Sequence, residues 1–239
     1  MEVSDSSFGE VLVVDLPVEI SLAQLWRFMG QGPAKSQLNA VPVQEDPQWI
    51  AKITEISKRG QRLIKPRGTY RLLPVSQLCA QIDTDCPDNL KPGLRSLPPN
   101  DCIVIALTTL GLAYDQWLEQ LAGEGIMAQW IGEAIGNCAL FTAGTFLKRH
   151  VNQQLQLQQQ KIGQTWAPGD AHWPFALQKP ILNMLDPAPL GVTINDHLVL
   201  LPLKTTTQVF HVVSHNQQEN SSQPCRLCHN HTCLFRRES

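Results

Sequence analysis

Residues 102–111, CIVIALTTLG, are the segment that most constrains the fold. They form a continuous apolar run between Asp101 and Gly111. A short apolar run bounded by turn-forming residues is typical of a strand with both faces buried. We therefore expect a buried central strand here, with the rest of the chain arranged around it.

Helical and extended patterns alternate along the remaining sequence. Apolar residues at helical spacing predict helices over 21–30, 47–60, 115–125 and 126–160, and a short one within 175–191. The Gln-rich end of the longest helix, 153–160, is expected to be a solvated extension. Extended segments are predicted over 11–20 and 62–75, and two strands over 192–214 with a turn near Lys204. This mixed order predicts an α+β fold.

Composition narrows the classes of function. The 239 residues are interpreted as one unit over 1–213 and a polar, Cys- and His-rich tail over 214–239. The net charge of −2 argues against broad electrostatic binding to nucleic acid or anionic lipid. The N-terminus lacks the pattern of a signal peptide, and no apolar run approaches the roughly 18 residues of a membrane helix. We expect a cytoplasmic protein with reduced thiols and with no nucleic-acid or membrane partner.

Gly132 and Gly136 lie four residues apart in the longest predicted helix and share one face. A glycine in a helix interior costs about 1 kcal/mol relative to alanine. We interpret this pair as a place of tight packing between the helix and the sheet.

Residues 165–174, TWAPGDAHWP, combine two Trp, two Pro, Gly, Asp and His in a predicted loop. Gly169 lets the backbone approach a ligand closely, and exposed backbone groups around Pro168 can bind a small polar molecule. Trp166 and Trp173 can form the wall of a site for adenine or another large flat ligand. The alternative is a loop that its two indoles pin to the core, and composition does not distinguish the two.

Cys225, Cys228 and Cys233 are clustered near the end of the sequence, with two histidines between them. Closely spaced thiols can converge on one metal ion, and a structural zinc needs four ligands, which these cysteines and one histidine would supply. An iron–sulfur cluster also uses thiolates. The spacing predicts a metal site and leaves zinc and iron–sulfur open, and the alternative is an unliganded, thiol-rich tail.

Several segments occur in an order that resembles the activation (reactivation) domain of vitamin B12-dependent methionine synthase, and most of all its short free-standing relatives. The similarity runs from about residue 14 to residue 237. It is carried by LWRFMG (25–30), LIKPRGTYRLLPV (63–75), CIVIALTTLG (102–111), WIGEAIGNCAL (130–140), WAPGDAHWPFALQKPILNML (166–185), GVTINDHLVLLPLKTTTQVFHVV (191–213) and the cysteine tail.

The resemblance implies a twisted, mainly antiparallel sheet with flanking helices. It also implies that the chain binds S-adenosylmethionine (SAM) and caps the cobalamin of a separate corrinoid protein or methionine synthase module. There it would let an oxidised cobalamin be reduced and re-methylated. The family's Ala-Pro-Gly turn contacts SAM through its backbone. The cofactor-binding residues that the resemblance and the loop composition suggest are Trp166, Ala167, Pro168, Gly169, Asp170, Trp173 and Glu133.

Four positions depart from the family pattern. Thr165 stands where the family has an Arg that pairs with the SAM carboxylate, and Asp170 stands where a Tyr follows the glycine. Phe210 corresponds to a Tyr of the later hairpin, and Glu133 to a helix Asp. Loss of the arginine removes a charge-assisted, bidentate contact to the ligand.

Two interpretations follow from these departures. In the first, another cation such as Arg67 or Lys204 replaces the arginine, and the chain supports SAM-dependent re-methylation of a corrinoid protein in trans. In the second, the chain has lost SAM and is a non-enzymatic interaction protein that keeps the fold and a metal-bound cysteine tail.

Overall fold

The computed structural model of the chain describes residues 10–18, 20, 22–29, 47–85, 97–170 and 173–217. The helices are α1 (Leu22–Phe28), α2 (Pro47–Gln61), α3 (Val75–Asp85), α4 (Leu112–Ala122), α5 (Ile126–Gln156) and α6 (Gln178–Asn183). The strands are β1 (Leu12–Asp15), β2 (Arg67–Pro74), β3 (Cys102–Thr109), β4 (Gln160–Trp166), β5 (Thr193–Ile194), β6 (Leu200–Leu201) and β7 (Thr205–Ser214).

A five-stranded antiparallel sheet in the order β1-β2-β3-β7-β4 organises these residues. Strand β3 is the third strand, and all of its residues after Cys102 are buried. Ala106 lies opposite Tyr70 on β2 and opposite Gln208 on β7. The predicted central strand over 102–111 is confirmed, as is the α+β fold with a mainly antiparallel sheet and flanking helices.

Different elements cover the two faces of the sheet, because alternate residues of a strand point to opposite sides. Phe210 and Val212 of β7 pack with Leu147 in the C-terminal half of α5. Val209 belongs to the core on the opposite face, which contains Trp173 and the apolar residues of α3 and α6. The sheet is therefore buried on both sides near β3 and β7.

Helices α1, α2 and α4 pack around the N-terminal half of α5 in a second core. Ile53 and Ile56 of α2 are buried, as are Trp117, Leu118 and Leu121 of α4. Most of the two predicted apolar stripes is thus buried, but Ile50, which belongs to the predicted stripe of α2, is 43% exposed.

Gly132 and Gly136 of α5 allow α4 to approach closely. A Cβ on Gly136 would lie 2.6 Å from Cε1 of Tyr114, and one on Gly132 would lie 2.6 Å from Cδ2 of Leu121. The Tyr114 ring is fully buried, and its hydroxyl donates a hydrogen bond to the Gly132 carbonyl at 2.7 Å. The expected packing of these glycines against the sheet is therefore wrong: their close neighbours are side chains of α4 and, at Gly136, the side chain of Lys204.

Asp115 of α4 ties this helix to the residues that precede β7. Its carboxylate accepts the N–H of Leu203, and that of Lys204 at 3.4 Å. Burial raises the pKa of the Asp115 carboxyl above its usual 3.8, although the two N–H donors and the Lys204 charge act in the opposite direction. The folded chain therefore holds a proton on Asp115 more strongly than the unfolded chain does.

The sequence places the end of the longest helix too far along the chain. Helix α5 ends at Gln156, and Gln160 begins β4. Gln159 between them has a positive φ of 57°, so the chain reverses there instead of continuing the helix. Residues 165 and 166, which the sequence predicts to lie in a loop, are the last two residues of β4 and pair with Phe210 and Val209.

Two other elements differ from expectation. Helix α3 has no counterpart among the predicted elements, although Val75, Leu78 and Ile82 form a buried stripe at helical spacing. Residues 192–214 contain the short hairpin of β5 and β6 before the long strand β7. The predicted turn near Lys204 lies immediately before β7.

The tail and the domain boundary remain predictions. Strand β7 ends at Ser214, and residues 218–239, which include Cys225, Cys228 and Cys233, lie outside the described residues. Within the described part of the chain, no helix has the length and apolar character needed to cross a membrane.

Replacing Gly136 with alanine is expected to lower the free energy of unfolding by about 1–3 kcal/mol, because the methyl group would overpack a rigid tyrosine ring. Gly144→Ala is the matched control on α5, since a Cβ there would meet only Gln208 Oε1, at 3.6 Å. The control should leave the free energy unchanged or raise it by up to about 1 kcal/mol. Denaturant unfolding measures both, and equal losses would contradict the close contact with Tyr114.

The raised pKa of Asp115 predicts a specific pH dependence. Its contribution to stability is complete below pH 3.8 and is lost as the pH rises through the higher folded-state pKa. Asp115→Asn cannot ionise, so the stability of this variant relative to the parent chain should improve as the pH rises through that window. Denaturant midpoints over a pH series measure the difference, with the exposed Asp196→Asn as control. A difference that is constant or that changes in the opposite direction would contradict the burial effect.

Candidate ligand-binding turn

The candidate turn, residues 167–170, follows β4 directly and is closed by its own hydrogen bonds. The Asp170 carboxylate accepts the Ala167 N–H at 2.7 Å, and the Asp170 N–H donates to the Ala167 carbonyl at 3.0 Å. The Gly169 N–H donates to the Trp173 carbonyl at 2.7 Å, and the Trp173 N–H donates to the Asp170 carbonyl at 2.9 Å. The N–H groups of the turn are thus satisfied internally, while residues 171 and 172 lie outside the described ranges.

Gly169 is required at its position by the backbone conformation. Its φ is 101°, a value that residues with a side chain rarely adopt, whereas a Cβ would meet only Phe175 Cδ2, at 3.7 Å. Among the described residues, no donor is bonded to the carbonyls of Pro168 and Gly169. The N–H donors of the turn are therefore used, whereas these two carbonyls have no partner among the described residues.

The two indoles stack on each other. The ring centroids of Trp166 and Trp173 are 4.9 Å apart, with an angle of 19° between the ring planes. Trp173 is only 1% exposed, whereas Trp166 is half-buried and lies 6.3 Å from the His211 ring. Trp173 thus supports the turn from the core, as in the pinned-loop alternative, and Trp166 is the more accessible indole.

A lysine reaches the residue at the base of the turn. Lys148 of α5 donates a hydrogen bond from Nζ to Thr165 Oγ1 at 2.8 Å. The same ammonium lies 5.9 Å from the centroid of the Phe210 ring, which is within the range of a cation–π contact. Because Thr165 and Phe210 are opposite each other in register, this face of β4 and β7 holds a half-buried positive charge.

The structure separates Glu133 from the other candidate residues. Glu133 forms an ion pair with Lys204, whose ammonium also donates to Asn137 Oδ1 at 2.9 Å. Glu133 and Lys148 are 15 positions apart on one helix, about 22 Å along its axis. A site that included Glu133 and the turn would therefore have to span much of α5.

The two cations considered as replacements for the missing arginine lie elsewhere. Arg67 is on β2, three strands from β4, and donates to the Pro189 carbonyl at 3.2 Å. Lys204 forms an ion pair with Glu133 and donates a hydrogen bond to Asn137.

The cation that lies beside the turn, Lys148, is not among the residues that the sequence singles out. It belongs to an ordinary basic stretch of a predicted helix, and only the reversal of the chain after Gln156 brings it against β4.

The described residues contain no group of three or more His, Cys, Asp or Glu side chains that could hold a metal ion. The predicted metal ligands Cys225, Cys228 and Cys233 lie outside those residues. The choice between zinc and iron–sulfur therefore stays a prediction from the spacing of the cysteines.

Comparison with known proteins identifies a solved structure with a similar fold. No protein-family model matches the chain, and no curated protein matches it significantly in sequence. Among solved structures, the chain is similar to the crystal structure of the MetH reactivation domain bound to AdoHcy, with a TM-score of 0.59 and 12% identity over 89% of this chain and 80% of that chain. The chain thus has the fold of a methionine synthase reactivation domain.

Proposed function

We propose that this chain binds SAM or its demethylated product, S-adenosylhomocysteine (AdoHcy), at the turn 167–170. We further propose that it supports the reductive re-methylation of a separate corrinoid protein. The observation that carries the proposal is the position of Lys148 beside the turn, on a fold shared with a reactivation domain whose crystal structure contains AdoHcy.

The acceptors of the turn match the donors of the ligand. The carbonyls of Pro168 and Gly169 accept no hydrogen bond within the described residues. SAM carries N–H groups on its adenine and its amino acid, hydroxyl groups on its ribose and a positive sulfonium, all of which favour contact with carbonyl oxygens. The fixed backbone at Gly169 would present these oxygens without a further conformational cost.

Lys148 supplies the charge that Thr165 lacks. Thr165 cannot form an ion pair, but the Lys148 ammonium lies 2.8 Å from its hydroxyl oxygen. An ammonium is a compact point charge and does not offer the planar fork of an arginine. We infer that Lys148 binds the ligand carboxylate through one charge-assisted hydrogen bond in place of a bidentate pair.

In this proposal the chain holds and orients the methyl donor, and a partner holds the corrinoid. SAM supplies an electrophilic methyl group on a positively charged sulfur and becomes AdoHcy when the C–S bond breaks and its electron pair stays on that sulfur, while an external reductant supplies the electron. The protein's own contribution is to fix the ligand at the turn and to cap the partner's corrinoid. The fold similarity and the geometry of the turn support this assignment.

Lys148→Met is expected to weaken SAM and AdoHcy binding about tenfold, because it removes one charge-assisted contact to the carboxylate. Methylthioadenosine has no carboxylate, so the same substitution should leave its affinity unchanged. Calorimetric titration of the three ligands into the parent chain and the variant measures both effects.

The control for this titration is Lys161→Met, which removes a lysine of β4 that has no described contact with the turn. An equal loss for all three ligands would assign Lys148 a structural role in place of carboxylate binding. Absence of SAM and AdoHcy binding to the parent chain would favour the second interpretation, a non-enzymatic interaction protein.

Gly169→Ala is expected to reduce methyl transfer from SAM to a corrinoid protein, because alanine disfavours the φ of 101° that shapes the turn. Labelled methyl groups on the corrinoid, counted with and without this chain in the presence of a reductant, measure the activity. Gly125→Ala is the matched control, with a φ of 114° and no atom within 4 Å of the added methyl. Equal activity of the two variants, or methylation that does not require the chain, would contradict the proposed role.

A further inference from the structure

A cavity of about 650 Å³ opens at the end of the sheet beside β1 and β2, three strands away from β4 and its turn. It lies where the end of β1, the connection from α2 to β2 and the connection from β3 to α4 meet. Its lining includes Asp15, Leu16, Lys65, Arg67, Leu110 and Ala113. This volume is within the range of about 300–1,000 Å³ that is common for small-molecule sites.

The base of the cavity is apolar and held by backbone hydrogen bonds. Leu16, Ile64 and Leu110 line it and are 8%, 4% and 0% exposed. The Leu16 N–H donates to the Pro66 carbonyl at 2.9 Å, and the Lys65 N–H donates to the Leu110 carbonyl at 3.2 Å. These bonds join the three segments, so the cavity is formed without a ligand.

The rim of the cavity carries two cations and one anion. Arg67 donates one hydrogen bond from Nη1 to the Pro189 carbonyl at 3.2 Å, which orients the guanidinium and leaves most of its five N–H donors. Asp15 lies opposite Arg67 in the β1–β2 register, but the two do not form an ion pair. Within the described part of the chain, no carboxylate is paired with Lys65 or Arg67.

The start of α4 adds to the positive potential at this rim. Leu112 and Ala113, its first two residues, line the cavity, and no side chain caps this helix end; Asp115 in the first turn is buried against the N–H groups of Leu203 and Lys204 and offsets part of this potential. Leu112 is 58% exposed, so apolar surface extends from the base of the cavity to its edge. The cavity thus combines an apolar base with a rim of net positive charge.

We propose that this cavity binds a small organic anion, with its anionic group at Lys65 and Arg67 and its apolar or flat body on the accessible apolar surface of Leu63, Leu112 and Ala113. An inorganic anion alone would not use the apolar base, and a neutral apolar molecule would not use the two cations. The site is separate from the turn, because β2 and β4 are three strand spacings apart in the sheet, about 14 Å.

The fluorescent probe anilinonaphthalene sulfonate, an aromatic monoanion, tests this site in the full chain. It should bind saturably, and added salt should weaken it. Arg67→Met should weaken the probe about tenfold, and Lys65→Met severalfold, because Lys65 is the more exposed cation. Ala113→Trp, at an exposed position of the rim, should abolish binding by filling the cavity.

Three controls define the result. Lys179→Met, which removes an exposed lysine of α6, should leave probe affinity unchanged. The neutral analogue phenylnaphthylamine should bind more weakly and should not respond to Arg67→Met. Denaturant midpoints and SAM affinity should be the same in all variants, which separates this site from the turn.

The proposal is overturned if the probe does not bind the parent chain. It is also overturned if all the variants bind the probe equally, or if phenylnaphthylamine binds as tightly as the anion. If Arg67→Met lowers the denaturant midpoint, Arg67→Gln takes its place, because glutamine keeps a polar side chain that can donate to the Pro189 carbonyl. Loss of probe binding in this variant supports the proposal, and full retention contradicts it.

Discussion

The register of β7 between β3 and β4 is the constraint on which the rest of the structure depends. Residues 205–212 of β7 pair with β3 on one side, and residues between Val209 and Ser214 pair with β4 on the other, so each side chain is assigned to one face of the sheet. A shift by one residue would exchange the faces of Val209 and Phe210. That shift would break both hydrophobic cores and would remove Thr165 from α5. The core and the candidate turn therefore depend on the same pairing.

Helix α5 connects the two parts of the molecule because its two halves pack in different ways. Its N-terminal half is surrounded by α1, α2 and α4, and glycines allow α4 to approach. Its C-terminal half lies on the sheet, where Leu147 packs against the side chains of the strands and the neighbouring Lys148 donates a hydrogen bond to Thr165. Rigid packing at one end thus positions a charged side chain at the other. A lysine on a loop would lose more conformational entropy when it bound a ligand.

The sheet end that carries the turn also carries the cavity, and the two differ in chemistry. The turn offers backbone carbonyls, one accessible indole and a lysine. The cavity offers an apolar base with Lys65 and Arg67 at its rim. Three strand spacings separate them. Arg67 thus belongs to the cavity and lies too far from β4 to replace the missing arginine of the turn.

Local patterns predict much of the fold and part of the site. The apolar run over 102–111 predicts β3, Ile53 and Ile56 predict the buried face of α2, Leu118 and Leu121 predict that of α4, and the Pro and Gly residues of 165–174 predict a turn. Each of these signals depends on neighbours within about two helical turns or one strand. The stripe of α3 is equally local, but its proline-rich surroundings obscure it. Strand β4 is short and pairs with a partner far along the chain, so its sequence carries only a weak signal.

The properties encoded locally are which segments are buried, where the backbone must turn and which residues could bind a ligand. Long-range packing determines the rest. The reversal after Gln156 brings Lys148 to Thr165, an ion pair with Lys204 holds Glu133 at the other end of α5, and packing against residues of α3 and α6 buries Trp173. These contacts join residues whose spacing along the chain has no fixed relation to distance in space. Only the pairing of strands and the packing of helices set which side chains meet.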